Sequence, residues 1–163
     1  MTPDAPSQTA DSHGFHGGRI GCFSATRSDV SSLFAMPHAF SSLDELGSGP
    51  GFRKIRQPLG VTAFGVNALV YPPQWEGVEH YHDTQDELYF VHRGRVVVEV
   101  EGERRELGEG GLVHVESTTP RKVSNPFDEE AIIFVVGGKD GYVPRDGHVT
   151  SEEDLARRLS FGR

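Results

Sequence analysis

Short runs of apolar and β-branched residues, separated by breaks that carry Pro, Gly or Asp, follow one another from residue 52 to residue 137. Residues 96–100, VVVEV, show the alternation of a strand with one buried and one solvated face. The pattern predicts strands at 52–57, 61–71, 78–82, 87–92, 95–101, 103–107, 112–116, 121–125 and 131–137. Because no long amphipathic helix interrupts these many short strands, we expect an all-β fold, an antiparallel barrel or sandwich.

One stretch of this pattern, Gly77 to Gly94, reads GVEHYHDTQDELYFVHRG and carries three side chains that can bind a metal. Successive side chains of a strand alternate between its faces, so His80 and His82 point the same way, roughly 7 Å apart. The polar segment DTQD suits a turn, and Glu87 opens the return strand. The sequence therefore predicts a corner at which two imidazoles face a carboxylate.

The same alternation assigns the residues beside Glu87 to one face of the strand or the other. Tyr89 shares the face of Glu87, which makes Tyr89 a candidate for lining a pocket. Asp86 falls on the opposite face and is only a fallback carboxylate.

Composition limits the classes of partner. A chain of 163 residues with 36% hydrophobic residues suits one ordinary globular domain. The formal net charge of -8, from 24 acidic and 16 basic residues, argues against binding nucleic acid or anionic lipid. A single cysteine, Cys22, excludes an intramolecular disulfide, and no apolar run approaches the length of about 18 residues that a membrane span needs. We expect a cytoplasmic protein whose ligand is a small molecule.

The chain divides into four parts. Residues 1–17 have almost no apolar side chains, which predicts a disordered tail. We expect residues 18–51 to form an N-terminal arm that packs on the barrel or on a partner subunit in a homodimer. Residues 52–140 are assigned to the barrel, and residues 141–163 to a C-terminal loop and a short helix. Capping boxes predict short helices at Ser42-Leu43-Asp44-Glu45 and after Ser151. Leu155 and Leu159 share a face of the second helix, which we expect to lie against the barrel exterior.

The spacing of His80, His82, Glu87 and Gly94 resembles the first conserved motif of the cupin superfamily, with Gln74 in place of its leading Gly. A segment similar to the second motif follows at 108–125, GEGGLVHVESTTPRKVSN. The resemblance covers about residues 60–137. It implies a cupin-like antiparallel β-barrel, a double-stranded β-helix or jelly roll, with short flanking helices.

The second motif is incomplete. Gly110 and Asn125 match its ends, but Glu116 and Thr118 stand at its Pro and Gly positions, and Arg121 stands where the family has its third metal-binding His. A guanidinium is always protonated and has no lone pair to offer, so Arg121 cannot be a metal ligand.

Three arrangements remain open. In the first, His80, His82 and Glu87 alone hold a divalent transition metal such as Fe, Mn, Zn or Ni, and Arg121 binds an anionic group of the substrate. In the second, another imidazole supplies a fourth ligand. His114 is the better candidate because its strand belongs to the second motif, and His92 is the poorer because strand alternation from Glu87 turns it away from the site. In the third, Arg121 pairs with Glu87 and the pocket holds no metal.

The resemblance leaves three hypotheses of function open. One is a metal-dependent enzyme of the oxygenase, isomerase or cyclase type that acts on a small anionic molecule. The alternative is a metal-free cupin that binds or senses a small molecule without catalysis. A metal-free enzyme that uses His82 or Glu87 for proton transfer is a third reading.

Overall fold

The computed structural model describes residues 38–161. The predicted tail and most of the arm, with Cys22, lie outside the described residues. The elements are β1 Gly51–Lys54, β2 Gly65–Tyr71, β3 His80–His82, β4 Asp86–Arg93, β5 Val96–Val100, β6 Glu103–Leu107, β7 Leu112–Val115, β8 Arg121–Ser124, β9 Ala131–Gly138, β10 Gly147–Val149 and α1 Glu152–Ser160.

The strands form two five-stranded sheets. The first has the order β1-β2-β9-β4-β7 and the second β10-β3-β8-β5-β6. All pairings between these strands are antiparallel. The predicted all-β jelly-roll fold is confirmed. Nine of its strands correspond to predicted runs, and β10 was not predicted.

Both sheets contribute to one hydrophobic core. In β4, Tyr89 and Val91 are buried while Leu88 and Phe90 are exposed, as period-two alternation requires. These inward residues pack against Val96 and Val98 of the opposite sheet. The site residue Glu87 is on the same face of β4, so it points between the sheets.

Strand β10 brings the C-terminal segment to the edge of the second sheet. It pairs with β3, with Gly147 opposite His82 and Val149 opposite His80. Three residues, GHV, are too few for a recognisable alternation, which is why the sequence did not reveal this strand. The C-terminal segment therefore belongs to the sheet that carries the two histidines.

Helix α1 is attached mainly by polar groups. Ser151 is its N-cap, as predicted, and accepts a hydrogen bond from the Asp154 amide. Leu155 and Leu159 are 45% and 58% exposed, so their shared face is not what attaches the helix to the barrel. The contacts instead come from Asp154, which accepts from the Glu79 amide at 3.1 Å, and from Arg157, which donates to the Gly77 carbonyl at 3.0 Å.

The capping box at residues 42–45 is present, but it closes a turn and not a helix. The Ser42 amide donates to the Glu45 carboxylate at 2.8 Å, and the Leu46 amide donates to the Ser42 carbonyl at 3.2 Å. Phe40 is 90% exposed, and the apolar residues Leu33, Phe34 and Met36 of the arm lie outside the described range, so the homodimer stays a prediction. No helix within residues 38–161 has the length and hydrophobicity of a membrane span.

Candidate metal centre

The candidate site lies between the two sheets, where β3 faces the start of β4. His80 and His82 come from β3 of the second sheet, and Glu87 comes from β4 of the first. Nε2 of His82 is 3.2 Å from Oε1 of Glu87, and Nε2 of His80 is 3.5 Å from Oε2. One nitrogen or oxygen atom from each side chain lies within 4.8 Å of the others. The expected convergence of two imidazoles and a carboxylate is therefore observed.

The hydrogen bond of His80 selects the tautomer that suits metal binding. Its Nδ1 is 3.1 Å from the Val78 carbonyl. Because a carbonyl oxygen only accepts, Nδ1 carries the proton and Nε2 keeps its lone pair. That lone pair is directed at the cavity beside Glu87.

The second imidazole has a nitrogen without a partner. Nε2 of His82 is buried and makes no hydrogen bond within residues 38–161, because its contact with Glu87 lacks hydrogen-bond geometry. On the other side of the ring, the Gln85 amide nitrogen is 2.8 Å from Nδ1. Ligation through Nε2 requires the proton on Nδ1, and a half-turn of the Gln85 amide supplies the oxygen that accepts it.

The residues present fit a divalent transition metal. Two imidazoles and one carboxylate form the donor set of open-sided sites that leave positions for water or substrate. Donors that share an ion at about 2.1 Å lie roughly 3 to 4 Å apart. The distances from the Glu87 oxygens to the two imidazoles fall in this range, at 3.2 and 3.5 Å.

Arg121 pairs with the Glu87 carboxylate but does not line the cavity. Its side chain is 0% exposed. Nε and Nη2 donate to Oε2 of Glu87 at 3.2 and 3.0 Å, and Nη1 donates to the Ser117 and Thr119 carbonyls, both at 2.9 Å. Arg121 is absent from the lining of the cavity. The expectation that it receives a substrate anion is corrected, because its guanidinium already serves Glu87 and the loop before β8.

The two oxygens of Glu87 have different surroundings. Oε2 accepts from Arg121 and from the Tyr89 hydroxyl, whereas Oε1 faces His82. Burial by itself raises the pKa of Glu87, but the polar contacts with His80, His82 and Tyr89 outweigh burial and hold the pKa well below its usual value. Glu87 is therefore ionised, with Oε2 fixed and Oε1 available to an ion.

Tyr89 is buried and lines the cavity, and its hydroxyl donates a hydrogen bond to Glu87. Burial first, and the Glu87 carboxylate second, raise the pKa of Tyr89 well above its usual value. The phenol therefore stays protonated and remains a donor. A substrate contact with Tyr89 stays a proposal.

His114 lies away from the site. It pairs with Leu88 on the outer face of the first sheet, and its side chain is 57% exposed. Its nearest acidic group is Asp86, with Nε2 3.9 Å from Oδ2. Val113 and Val115 face inward instead, so strand alternation excludes His114 as a fourth ligand.

A cavity of about 280 Å³ opens over the three metal-binding candidates. Tyr71, Trp75 and Phe161 form an aromatic wall, with Phe161 4.8 Å from Trp75 and 5.4 Å from Tyr71 between ring centroids. Phe161 follows helix α1 directly. The C-terminal segment thus completes the cavity, which the sequence did not reveal.

Asp146 is the functional candidate that sequence reasoning missed. It is buried and accepts from the Thr84 and Gln85 amides at 3.0 and 2.7 Å, and its Oδ2 is 3.6 Å from Nδ1 of His82. Burial raises the pKa of Asp146, but the two amide hydrogen bonds outweigh burial and lower it. The only sequence signal was an Asp-Gly pair, which is typical of a turn and says nothing about proximity to His82.

Comparison with known proteins agrees with this architecture. Residues 68–137 match the family model described as a cupin domain. The chain is similar to a cupin protein from Bacteroides fragilis, with 18% identity, a TM-score of 0.56 and coverage of 64% of this chain and 86% of that chain. It is also similar to a sugar phosphate isomerase of the cupin superfamily from Silicibacter pomeroyi, with 19% identity, a TM-score of 0.53 and coverage of 63% and 76%. A protein from Thermus thermophilus has 20% identity, a TM-score of 0.51 and coverage of 61% and 95%.

No curated protein matches the chain significantly. At these identities the solved structures establish the fold alone. Two antiparallel sheets around a cavity, with an inward His-x-His and Glu, define a cupin-type barrel. Residues 68–137 therefore form a cupin domain with the cupin-type barrel fold.

Proposed function

We propose that this cupin domain is a metal-dependent enzyme, with His80, His82 and Glu87 holding one divalent transition-metal ion. The observation that carries the proposal is the buried Nε2 of His82, which has no hydrogen-bond partner within residues 38–161 and lies beside the Glu87 carboxylate. A buried polar atom without a partner costs about 1–3 kcal/mol unless something occupies it. A metal ion removes this cost.

The surrounding residues each have a role in such a site. Arg121 and Tyr89 hold Oε2 of Glu87, which orients Oε1 towards Nε2 of His82. The Val78 carbonyl fixes the tautomer of His80. A bound ion supplies Lewis acidity at the base of the cavity. The aromatic wall excludes water from one side of a bound molecule.

Metal content tests the proposal directly. We expect protein purified without a metal-affinity tag, or incubated with Fe, Mn, Zn or Ni, to hold about one ion per chain by elemental analysis. His82→Ala and Glu87→Gln should each remove most of this metal. His114→Ala is the matched control, because this imidazole lies outside the cluster, and it should keep the metal. Native protein that neither contains nor takes up metal would refute the site.

A second function is favoured by one observation, the buried ion pair between Arg121 and Glu87. The positive charge of the guanidinium already neutralises the carboxylate and opposes a cation a few ångströms away. In this alternative the domain binds a small molecule without metal or catalysis. Arg121→His should then create a metal affinity that native protein lacks, whereas tight metal binding by native protein would contradict it.

A further inference from the structure

Two arginines, Arg145 and Arg158, line the cavity that holds His80, His82 and Glu87. We propose that they bind the charged group of a small organic oxyanion, a carboxylate or a phosphate monoester. The inference deepens the proposed function, on which it rests, by naming the class of substrate. It also moves the anion-binding role from Arg121 to the C-terminal segment.

Neither arginine has an acidic partner. Within residues 38–161, no carboxylate lies within 4.0 Å of the guanidinium of Arg145 or Arg158. Six other arginines of that range form ion pairs: Arg93, Arg95, Arg104, Arg105, Arg121 and Arg157. Arg53 and Arg56 of that range also lack an acidic partner, but they do not line this cavity. Arg145 and Arg158 thus place two cations without an acidic partner at one cavity, in a chain with a net charge of -8. Such a site attracts an anionic ligand.

Arg158 is close to the candidate metal site. Its Nη1 is 3.5 Å from the Gly147 carbonyl. Gly147 itself packs on the His82 ring, because a Cβ added there would lie 3.1 Å from Cε1 of His82. Gly147 therefore lies between the Arg158 guanidinium and the His82 ring.

The backbone of Arg145 is unusual. Its φ of +56° lies in the left-handed region, which a non-glycine residue adopts at a cost of order 1 kcal/mol. Glycine adopts this conformation without strain, and the same loop has a glycine with positive φ, Gly141. An arginine at a position that suits glycine, facing a cavity, indicates a requirement for its side chain.

Both carboxylates that line the cavity beside the histidines already have hydrogen-bond donors of their own. Arg121 neutralises Glu87, and the backbone amides of Thr84 and Gln85 engage Asp146. Tyr71, Trp75 and Phe161 offer an apolar surface to the uncharged part of the ligand. The ligand class is thus a small molecule with one oxyanion group and an apolar body.

Binding of three matched probes to metal-free and zinc-loaded full-length protein tests this inference. Benzoate and phenyl phosphate carry the oxyanion, and benzyl alcohol is the neutral control. By titration calorimetry we expect at least one anion to bind metal-free protein about tenfold or more tightly than benzyl alcohol, and to weaken as salt screens the charges. The anion that binds more tightly shows whether the site recognises a carboxylate or a phosphate.

Variants locate the binding group. Arg145→Gln combined with Arg158→Gln should weaken anion binding at least tenfold without changing zinc affinity. Arg105→Gln, on the exposed edge strand β6, should leave anion binding unchanged. Arg145→Gly should weaken anion binding while the protein stays at least as stable, because glycine relieves the strain. The inference is overturned if neither anion binds better than benzyl alcohol, or if the double variant binds as native protein does. Loss of zinc binding alone would refute the metal site and leave the anion result standing.

Discussion

The guanidinium of Arg121 donates two hydrogen bonds to one oxygen of Glu87, from Nε at 3.2 Å and from Nη2 at 3.0 Å. Both side chains are buried between the sheets. A buried charge is tolerated only when it is paired, so each residue depends on the other. Arg121 therefore stabilises the ionised carboxylate of the candidate metal site.

Arg121→Met should lower the free energy of unfolding by about 3–5 kcal/mol, because it leaves the Glu87 carboxylate buried without its cation. Chemical denaturation of metal-free protein measures this. Arg105→Met removes an exposed arginine that pairs with Glu103, and it should change stability by less than about 1 kcal/mol. Similar effects of the two variants would contradict the structural importance of the buried pair.

Tyr89→Phe should lower the free energy of unfolding by about 1.5–3 kcal/mol, because Oε2 of Glu87 loses a hydrogen bond to a charged acceptor while the ring still packs. Tyr142 also lines the cavity, but its hydroxyl has no partner within residues 38–161, so Tyr142→Phe is the matched control. Denaturant unfolding compares the two. Equal stability of both variants would show that the hydroxyl of Tyr89 contributes nothing to the fold.

Asp154 should make stability depend on pH. Burial raises its pKa, but hydrogen bonds from Ser151 and from the Glu79 amide, together with Arg157, outweigh burial and lower it. A carboxyl group with a lowered pKa stabilises the fold above its unfolded-state pKa of about 3.9. The stabilisation is lost as the pH falls through the lower, folded-state pKa.

Asp154→Asn is expected to lower the free energy of unfolding by about 1 kcal/mol at neutral pH, and by progressively less in acid. Urea denaturation from about pH 7 to about pH 2 should show the free energies of unfolding of native protein and of the Asp154→Asn variant converging as the pH falls. Glu152 is exposed in the same turn of α1, so Glu152→Gln should show no such convergence. A difference that stays constant with pH would contradict the assignment.

Gly77 permits the close approach of the segment before β3 to β8. A Cβ at Gly77 would overlap with the Val123 carbonyl, and its amide donates to the Ser124 hydroxyl at 2.9 Å. Gly77→Ala should therefore cost about 3 kcal/mol and weaken metal binding by displacing His80 and His82. Gly108 has open space and no positive φ, so Gly108→Ala should be neutral or slightly stabilising. Thermal unfolding and metal titration of both variants check this.

Strand periodicity explains how much of the barrel and site could be predicted. The alternation that places His80 and His82 on one face, and Tyr89 with Glu87, depends only on neighbouring residues. The capping box at Ser151 is equally local. These features were predicted correctly because a few consecutive residues contain all the information.

Contacts between distant residues were decided only by the tertiary structure. Pairing of β10 with β3 brings Asp146 to His82 across 64 residues of sequence, and helix α1 brings Phe161 and Arg158 to the cavity. Arg121 points at Glu87 because the loop before β8 supplies two carbonyls to its guanidinium. The sequence alone determined which side chains could face the barrel interior. Strand pairing and burial decided which of them meet, since the cost of burying a charge depends on partners that lie far away along the chain.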